Sequence, residues 1–267
     1  MNNIFYIIRR ILYITLGIVD GIFAHKSRIV ILCYHSVSSD RNWKFNVGEK
    51  VLEQQLKLIS KTHKSVPVSE IVSYIYGKKK FNTPVFAVTF DDGYKNIQSV
   101  IPLMKKLAVI PCVYLLSDTD VVNRKELGNT LPLLTDEDIQ NLQSEKWEIG
   151  SHGATHIILD KKSKTILTRE VTQSKKTLEK RLHERIVSFS YPKGKYSARV
   201  QSVVKEADYV SAVSMDDGQI SVRTNPYTIP RIGVDGSHSI REFSFLCSPS
   251  VTTFRRLIKK SLFGRYF

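Results

Sequence analysis

The sequence predicts an α/β fold of parallel strands, wound through about seven strand–helix units and rolled into a barrel. Three observations carry that prediction. Short apolar runs rich in β-branched and aromatic residues alternate with segments whose apolar residues recur at steps of three and four. Runs such as Val85 to Phe90 are apolar at consecutive positions, as strands covered on both faces are. No internal repeat and no Pro/Gly-rich linker breaks the alternation. A chain of 267 residues suits one large α/β domain or two small ones, and 42% hydrophobic with 24% charged residues excludes disorder.

Residues 1–28 stand apart. The stretch from Ile4 to Ala24 is mostly apolar, interrupted by Arg9, Arg10 and Asp20. Asn2, Tyr6, Arg9, Tyr13, Gly17 and Asp20 recur at steps of three and four, so they share one face of a helix. The expectation is a helix lying in a membrane interface with this basic, tyrosine-bearing face outward. Its charges deny it the roughly 20-residue apolar run of a spanning helix. Two alternatives stay open. One is a secretory signal with Arg9 and Arg10 ahead of Ile11 to Val19, for which Ile22 is a poor residue before a cleavage at Ala24. The other is a helix packed on the domain.

The main domain begins with a strand from Arg28 to His35, ending in a histidine. Residues 49–62 read as a helix with Val51, Leu52, Leu56 and Ile59 on one face, and Val68 to Gly77 as a second, stopped by Gly77 and the run Lys78 to Lys80. Val85 to Phe90 is a strand between Pro84 and the turn Asp91, Asp92, Gly93. A helix from Lys95 to Leu107, a strand from Cys112 to Leu116 and a loop over 118–134 follow. Thr135 to Asp138 is a helix-start signal, and that helix runs to Glu145. A short strand from Trp147 to Gly150 leads into Ser151 to His156. Lys162 to Glu184 is a long polar helix, and Val187 to Tyr191 a strand stopped at Pro192 to Gly194. Ala198 to Glu206 reads as a helix, and Tyr209 to Ser214 and Tyr227 to Ile232 as the last two strands. In the tail, Val251 to Phe267, Phe254, Leu257, Ile258 and Leu262 fall on one helical face and Arg255, Arg256, Lys259 and Lys260 on the other. The division is therefore an N-terminal segment (1–28), a main domain (29–246) and a basic amphipathic tail (247–267), with membrane-surface contact expected from residues 1–24 and 251–267.

A net charge of +15, from 40 Lys and Arg against 25 Asp and Glu, favours anionic surfaces. The basic runs sit at the termini and in one loop, with no nucleic-acid motif, so no nucleic-acid partner is expected. The three cysteines, Cys33, Cys112 and Cys247, are far apart and lack a C-x-x-C spacing, which argues against a disulfide framework or a zinc knuckle.

The chemistry collects at strand ends. Asp91 and Asp92 lie where Val85 to Phe90 stops, at the edge where parallel α/β sheets and barrels bind ligands. Adjacent side chains there point in different directions, so one acid can hold a cation while the other handles a proton. His152 and His156 follow another strand and flank a glycine-containing loop. With Asp92 they make a His₂Asp set suited to zinc or a similar divalent ion. Three protein ligands leave positions open for water and substrate, the pattern of a catalytic metal.

Thr89 to Gly93, Ser151 to His156 and Phe189 to Gly194, in that order, resemble the first three motifs of the polysaccharide deacetylases, the NodB-homology domain of carbohydrate esterase family four. The resemblance covers roughly residues 29–235 and leans towards the subgroup acting on poly-N-acetylglucosamine-like polymers. It implies an irregular (β/α)₇ barrel. It implies Asp91 as catalytic base, and Asp92, His152 and His156 as ligands of a divalent metal, most readily zinc. The N–H of Lys193 is implied as an oxyanion donor, with Tyr191 beside it facing substrate. Two departures matter. Phe189, Ser190 and Tyr191 stand where many members have an Arg before the proline, and no Leu-x-His occurs near the C-terminus. Arg231 is the candidate to orient Asp91 in place of that Arg. His35 is the candidate general acid, with His238 in reserve. The implied reaction is hydrolysis of N-acetyl groups on an N-acetylhexosamine polysaccharide or glycan, releasing acetate; the amphipathic ends add the expectation of a membrane-associated enzyme of the cell envelope. The rivals are an O-acetyl esterase or amidase using the same site, and a carbohydrate-binding barrel without turnover.

Overall fold

The computed structural model describes residues 2–22, 28–40 and 42–259. Ala24, Lys260 and Leu262, which entered the readings of the two ends, lie outside the described residues. In chain order the elements are α1 (Asn2–Ile22), β1 (Ile29–Tyr34), β2 (Ser36–Val37), β3 (Asn46–Val47), α2 (Glu49–Ile59), β4 (Lys64–Ser65), α3 (Val68–Ile75) and β5 (Val85–Phe90). There follow α4 (Ile101–Lys106), β6 (Cys112–Leu115), α5 (Arg124–Leu127), α6 (Asp136–Ser144), β7 (Glu148–Ser151), α7 (Lys164–Leu167) and α8 (Ser174–Leu182). The chain ends with β8 (Ser188–Ser190), α9 (Ala198–Glu206), β9 (Ser211–Val213), β10 (Ile232–Gly233), α10 (Ile240–Leu246) and α11 (Pro249–Ile258).

The main sheet runs β10-β1-β5-β6-β7-β8-β9, parallel throughout. β1 and β5 pair over their full length, from Ile29 opposite Val85 to Tyr34 opposite Phe90. β4 covers the first two residues of the other edge of β5, and β6 covers its last two. One segment closes the sheet. Ile229 bridges Val213 on β9, donating its N–H to the Ala212 carbonyl at 2.9 Å, and three residues later Ile232 pairs with Leu32 on β1. The predicted seven-stranded parallel barrel is what forms.

Both faces of the strands are apolar because both are covered. Ile31, Ala87, Tyr114, Val213 and Ile229 meet inside the barrel with Val68, Ile71 and Ile75 of α3. α3 is tied beneath the strands by the Glu148 carboxylate at the start of β7, which accepts the N–H of Val68 at 2.8 Å. Val30, Leu32, Tyr34, Phe86, Val88 and Phe90 face the other way, into the layer under the helices.

Several elements differ from expectation for local reasons. The helix expected from Lys95 is a 3₁₀ turn over Lys95–Val100, and α4 begins afresh at Ile101 because Pro102 cannot donate into the preceding turn. The long helix at 162–184 is interrupted by a π-helical turn, Thr168–Gln173, between α7 and α8. The loop at 118–134 contains α5, and α10 was not foreseen although Ser239 and Glu242 form its capping box.

α1 packs on the domain, one of the alternatives left open, and does so through its polar face. Arg9, Tyr13 and Asp20 of α1 are buried, while Ile4, Ile7, Ile8, Ile11, Ile18, Val19 and Ile22 are exposed. Arg9 donates its Nε to Glu242 Oε1 at 3.0 Å and its Nη2 to the Ser237 carbonyl at 2.8 Å. Asp20 accepts the Ser250 N–H at 2.8 Å and the Ser250 hydroxyl at 2.6 Å. Gly17 permits the contact: a Cβ there would lie 2.2 Å from the Phe245 ring. On α11, Arg255 is buried and Leu257 exposed, because Asp217 is fully buried and draws the guanidinium inward, Nε to Oδ1 at 2.7 Å. Among the described residues no helix is long and apolar enough to cross a membrane.

Candidate active site

The segments carrying His35, Asp91 and Asp92, His152 and His156, and Lys193 each leave a strand at the same rim of the barrel, while Arg231 leads into β10. β5 runs straight into Asp91, Asp92 and Gly93. Asp92 and Gly93 adopt left-handed backbone angles, φ of 71° and 73°, so the chain turns sharply and the two acids diverge. His156 and Lys193 are left-handed too, with φ of 64° and 56°. For residues other than glycine such conformations cost about 1–3 kcal/mol and persist where surroundings enforce them, often at functional sites.

The three predicted metal ligands converge. Asp92 Oδ1 lies 3.3 Å from His152 Nε2 and 3.2 Å from His156 Nε2, all three side chains being buried. His152 donates its Nδ1–H to the Ser190 carbonyl at 2.8 Å, because that carbonyl can only accept. The Nε2 facing Asp92 in the neutral ring is then a bare lone pair, and Asp92 Oδ1 finds no hydrogen-bond donor. Facing acceptors in a buried site call for a cation between them, and the set fits a divalent ion. Burial acts against the charge on His152, but Asp91 and Asp92 outweigh it and raise its pKa. Burial likewise acts upward on Asp92, yet the two imidazoles hold it well below the usual carboxylate range.

A second convergence, Cys33, His35 and Asp91, lies within the same few ångströms but does not suit a metal. Both Asp91 oxygens are already committed to Arg231. Nη1 reaches Oδ1 at 2.7 Å and Nη2 reaches Oδ2 at 2.6 Å, a bidentate clamp. Arg231 is itself fully buried and held by Thr89 Oγ1, Ser190 Oγ and the Ser214 carbonyl. Burial would raise the pKa of Asp91, but the guanidinium pulls it down to about 2. Arg231, the candidate for that orienting role, thus makes direct contact with both oxygens of Asp91.

Asp91, Asp92, His152 and His156 line one cleft of about 1110 Å³, just above the usual range of roughly 300–1,000 Å³ for small-ligand sites. His35 is in its wall, its ring 4.7 Å from Phe45 and 6.5 Å, edge-on, from Trp43. Burial lowers the pKa of His35 despite the two nearby aspartates.

A family model described as polysaccharide deacetylase matches residues 78–212. The chain belongs to the polysaccharide deacetylase family. It is therefore an enzyme, a hydrolase that takes acetyl groups from a polysaccharide. A poly-β-1,6-N-acetyl-D-glucosamine N-deacetylase of Staphylococcus aureus is 24% identical over 213 residues, covering 74% of this chain and 71% of that protein. The Streptococcus pyogenes deacetylase PplD, solved with acetate, superposes with a TM-score of 0.72 at 21% identity over 84% of this chain and all of its own. IcaB from Ammonifex degensii gives 0.71 at 17% identity over 84% of this chain and 99% of its own. These structures share the fold.

Two sequence assignments in this deacetylase are corrected. Tyr191 is fully buried, and its hydroxyl donates to the Tyr227 carbonyl at 2.9 Å, so it supports the β8 strand end and does not face the cleft. His238 is outside the cleft as well, with Nδ1 3.1 Å from Asp235 Oδ1 and Nε2 3.2 Å from Arg255 Nη1, a structural position. Lys193 does line the cleft.

The sequence reading also missed residues. Ser190 donates to Asp91 Oδ2 at 3.1 Å and receives Arg231. Glu170, fully buried in the π-helical turn, accepts the N–H groups of Ala154 and Thr155 at 3.0 and 2.9 Å and the Thr155 hydroxyl at 2.7 Å. It thereby pins the loop between the two histidines. Position 170 shares the inward stripe of its helix with Leu167, Val171, Ser174 and Leu178, and a carboxylate on such a stripe was the available signal.

Proposed function

We propose that this deacetylase removes N-acetyl groups from a polymer of N-acetylglucosamine, the β-1,6-linked form being the first candidate, using a divalent metal that is most readily zinc. The observation that carries the reading is the donorless Asp92 Oδ1 facing two imidazole nitrogens beside an Asp91 that is clamped as a carboxylate. The named Staphylococcus relative supports the choice of polymer. Two histidines and one carboxylate suit zinc among divalent ions.

Asp92, His152 and His156 would hold the ion, and when bound it would supply Lewis acidity to an acetyl carbonyl and to a water, which a base as weak as Asp91 requires. Asp91 accepts the proton of the attacking water while Arg231, a positioning residue, keeps it ionised and aimed. The backbone N–H of Lys193 donates to the developing oxyanion. His35, whose pKa burial lowers, passes a proton to the departing sugar amine. Trp43 and Phe45 give the cleft an apolar wall for a sugar face. The products are acetate and a free amine. This reading puts the enzyme at the cell envelope against a membrane, which its excess of basic residues favours.

The test is acetate release from β-1,6-linked N-acetylglucosamine oligomers, chitin oligomers, peptidoglycan fragments and an O-acetylated glycan, with metal content measured and Asp91→Asn as control. Release from the β-1,6 oligomers alone is expected. Turnover confined to the O-acetylated glycan would replace the N-deacetylase assignment, and no turnover with full metal loading would favour a binding barrel.

A further inference from the structure

α1 lies against α10 and α11 with its polar side inward. Arg9 is satisfied by Glu242 and Ser237, Asp20 by Ser250, and Tyr13 packs edge-on to Phe254 at 6.4 Å. The helix is thereby fixed to the barrel without using its apolar residues. Seven aliphatic side chains, Ile4 to Ile22, remain between 42% and 73% exposed along its outer face. A 21-residue helix is about 31 Å long at 1.5 Å per residue, so this is a continuous ridge and not scattered exposure. An orientation that spends polar groups on the protein and leaves the aliphatic ones outside is favourable where a second apolar phase receives them.

Charge identifies that phase. The only acids on α1, α10 and α11 are Asp20 and Glu242, and both are buried and bonded. Arg10, Arg241 and Arg256 on the same three helices are exposed. An aliphatic ridge on a helix whose three-helix cluster exposes cations and no anions complements the acyl boundary and headgroups of an anionic bilayer. No described helix can span, so contact is in the plane of the interface.

We propose that the outward face of α1 is a lipid-insertion surface, by which the folded enzyme lies on an anionic membrane with α1 parallel to the bilayer. This rests on the envelope location proposed above; the apolar face meets lipid as the sequence pattern suggested, while the polar face meets the barrel instead of water.

The full chain is sedimented with vesicles of phosphatidylcholine and phosphatidylglycerol, and compared with Ile7→Asp/Ile11→Asp/Ile18→Asp. Acetate release from a soluble oligomer and a urea melt are measured on both. The wild type should pellet with anionic vesicles, and the triple variant should partition at least tenfold more weakly with its soluble activity intact. A second variant, Ile11→Trp, should blue-shift with vesicles and be quenched by bromolipid, which decides the matter even where the triple variant is poorly folded. Equal pelleting of the triple variant, with an unshifted tryptophan, would overturn the α1 surface while leaving the envelope location standing. A wild type that stays in the supernatant would overturn both. Lipid-free dimers abolished by the triple variant, with no vesicle binding, would make the ridge a contact between copies and overturn the proposal.

Discussion

Glu170 offers the sharpest test of how the fold holds the two histidines. Its carboxylate takes two buried backbone N–H groups and one hydroxyl from residues 154 and 155, midway between His152 and His156. Replacing it by alanine removes three charge-assisted bonds and leaves two amides to find other partners. Unsatisfied buried donors cost about 1–3 kcal/mol each, so Glu170→Ala should lose about 3–5 kcal/mol once partial hydration is allowed. That is a large share of a total stability of about 5–15 kcal/mol. Glu170→Gln differs instructively. Its carbonyl can accept the two amides, and its NH₂ can donate to the Thr155 oxygen, so the geometry survives with neutral bonds roughly half as strong. The assays are urea melts at neutral pH and calorimetric zinc affinity. Glu170→Ala should lower the urea midpoint strongly and weaken zinc binding by about 10–100-fold, as loss of an outer-shell partner does. Glu170→Gln should stay near wild type in both. Equal behaviour of the two variants, with zinc affinity unchanged, would refute the loop-pinning argument.

Three further outcomes are expected. Asp92→Asn, His152→Ala and His156→Ala should each lose metal by elemental analysis and reduce deacetylation by more than the roughly 100-fold of an outer-shell loss, and chelation of the wild type should do the same until zinc is restored. Arg231→Met leaves the Asp91 carboxylate buried and unpaired, and should cost about 3–5 kcal/mol in a urea melt, partly recovered in Arg231→Met/Asp91→Asn. Burial acts upward on Glu242, but its bonds from Ser239 and Arg9 prevail and lower its pKa. The folded state therefore holds the proton less tightly than the unfolded one, and the stability it contributes is present above the unfolded value of about 4.3 and lost as pH falls through the folded value. Urea midpoints taken from pH 7 to pH 3 should fall more steeply for the wild type than for Glu242→Gln.

The parts of the fold and site that were legible in the sequence share a property: the signal is local. β1 and β5 announce themselves by short, mostly apolar runs, and each site segment is a run of one to six residues following a strand. Asp92, His152 and His156 could be grouped because carboxylate and imidazole chemistry limits what they can do together. What the sequence hid depends on partners distant along the chain. Glu170 looks like one more acid in a polar helix until its stripe is seen to face the 152–156 loop. Tyr191 sits beside the third motif and was given a substrate role, yet the Tyr227 carbonyl, 36 residues away, claims its hydroxyl. Ser190 reads as a lost arginine, and only with Arg231 beside it does its small hydroxyl make sense as the space the guanidinium enters.

The terminal helices show why amphipathicity fixes that a helix has two faces but not which one is inside. The polar face of α1 is a good interfacial face if nothing on the barrel pairs with it. It becomes a docking face once Glu242, Ser237 and Ser250, more than 220 residues downstream, present complementary groups. A buried carboxylate then settles the other helix. Asp217 is fully buried and bonded by both Arg255 and Lys259, so these two basic side chains turn inward while Arg256 and Leu257 stay exposed. Arg255 also contacts Tyr13 on α1, and both Asp217 and Lys259 line the catalytic cleft. One chain of contacts therefore runs from α1 through Tyr13, Arg255 and Asp217 to the wall of the cleft. A helix seated on a bilayer through its aliphatic ridge is, by that chain, joined to the surface that receives the polysaccharide.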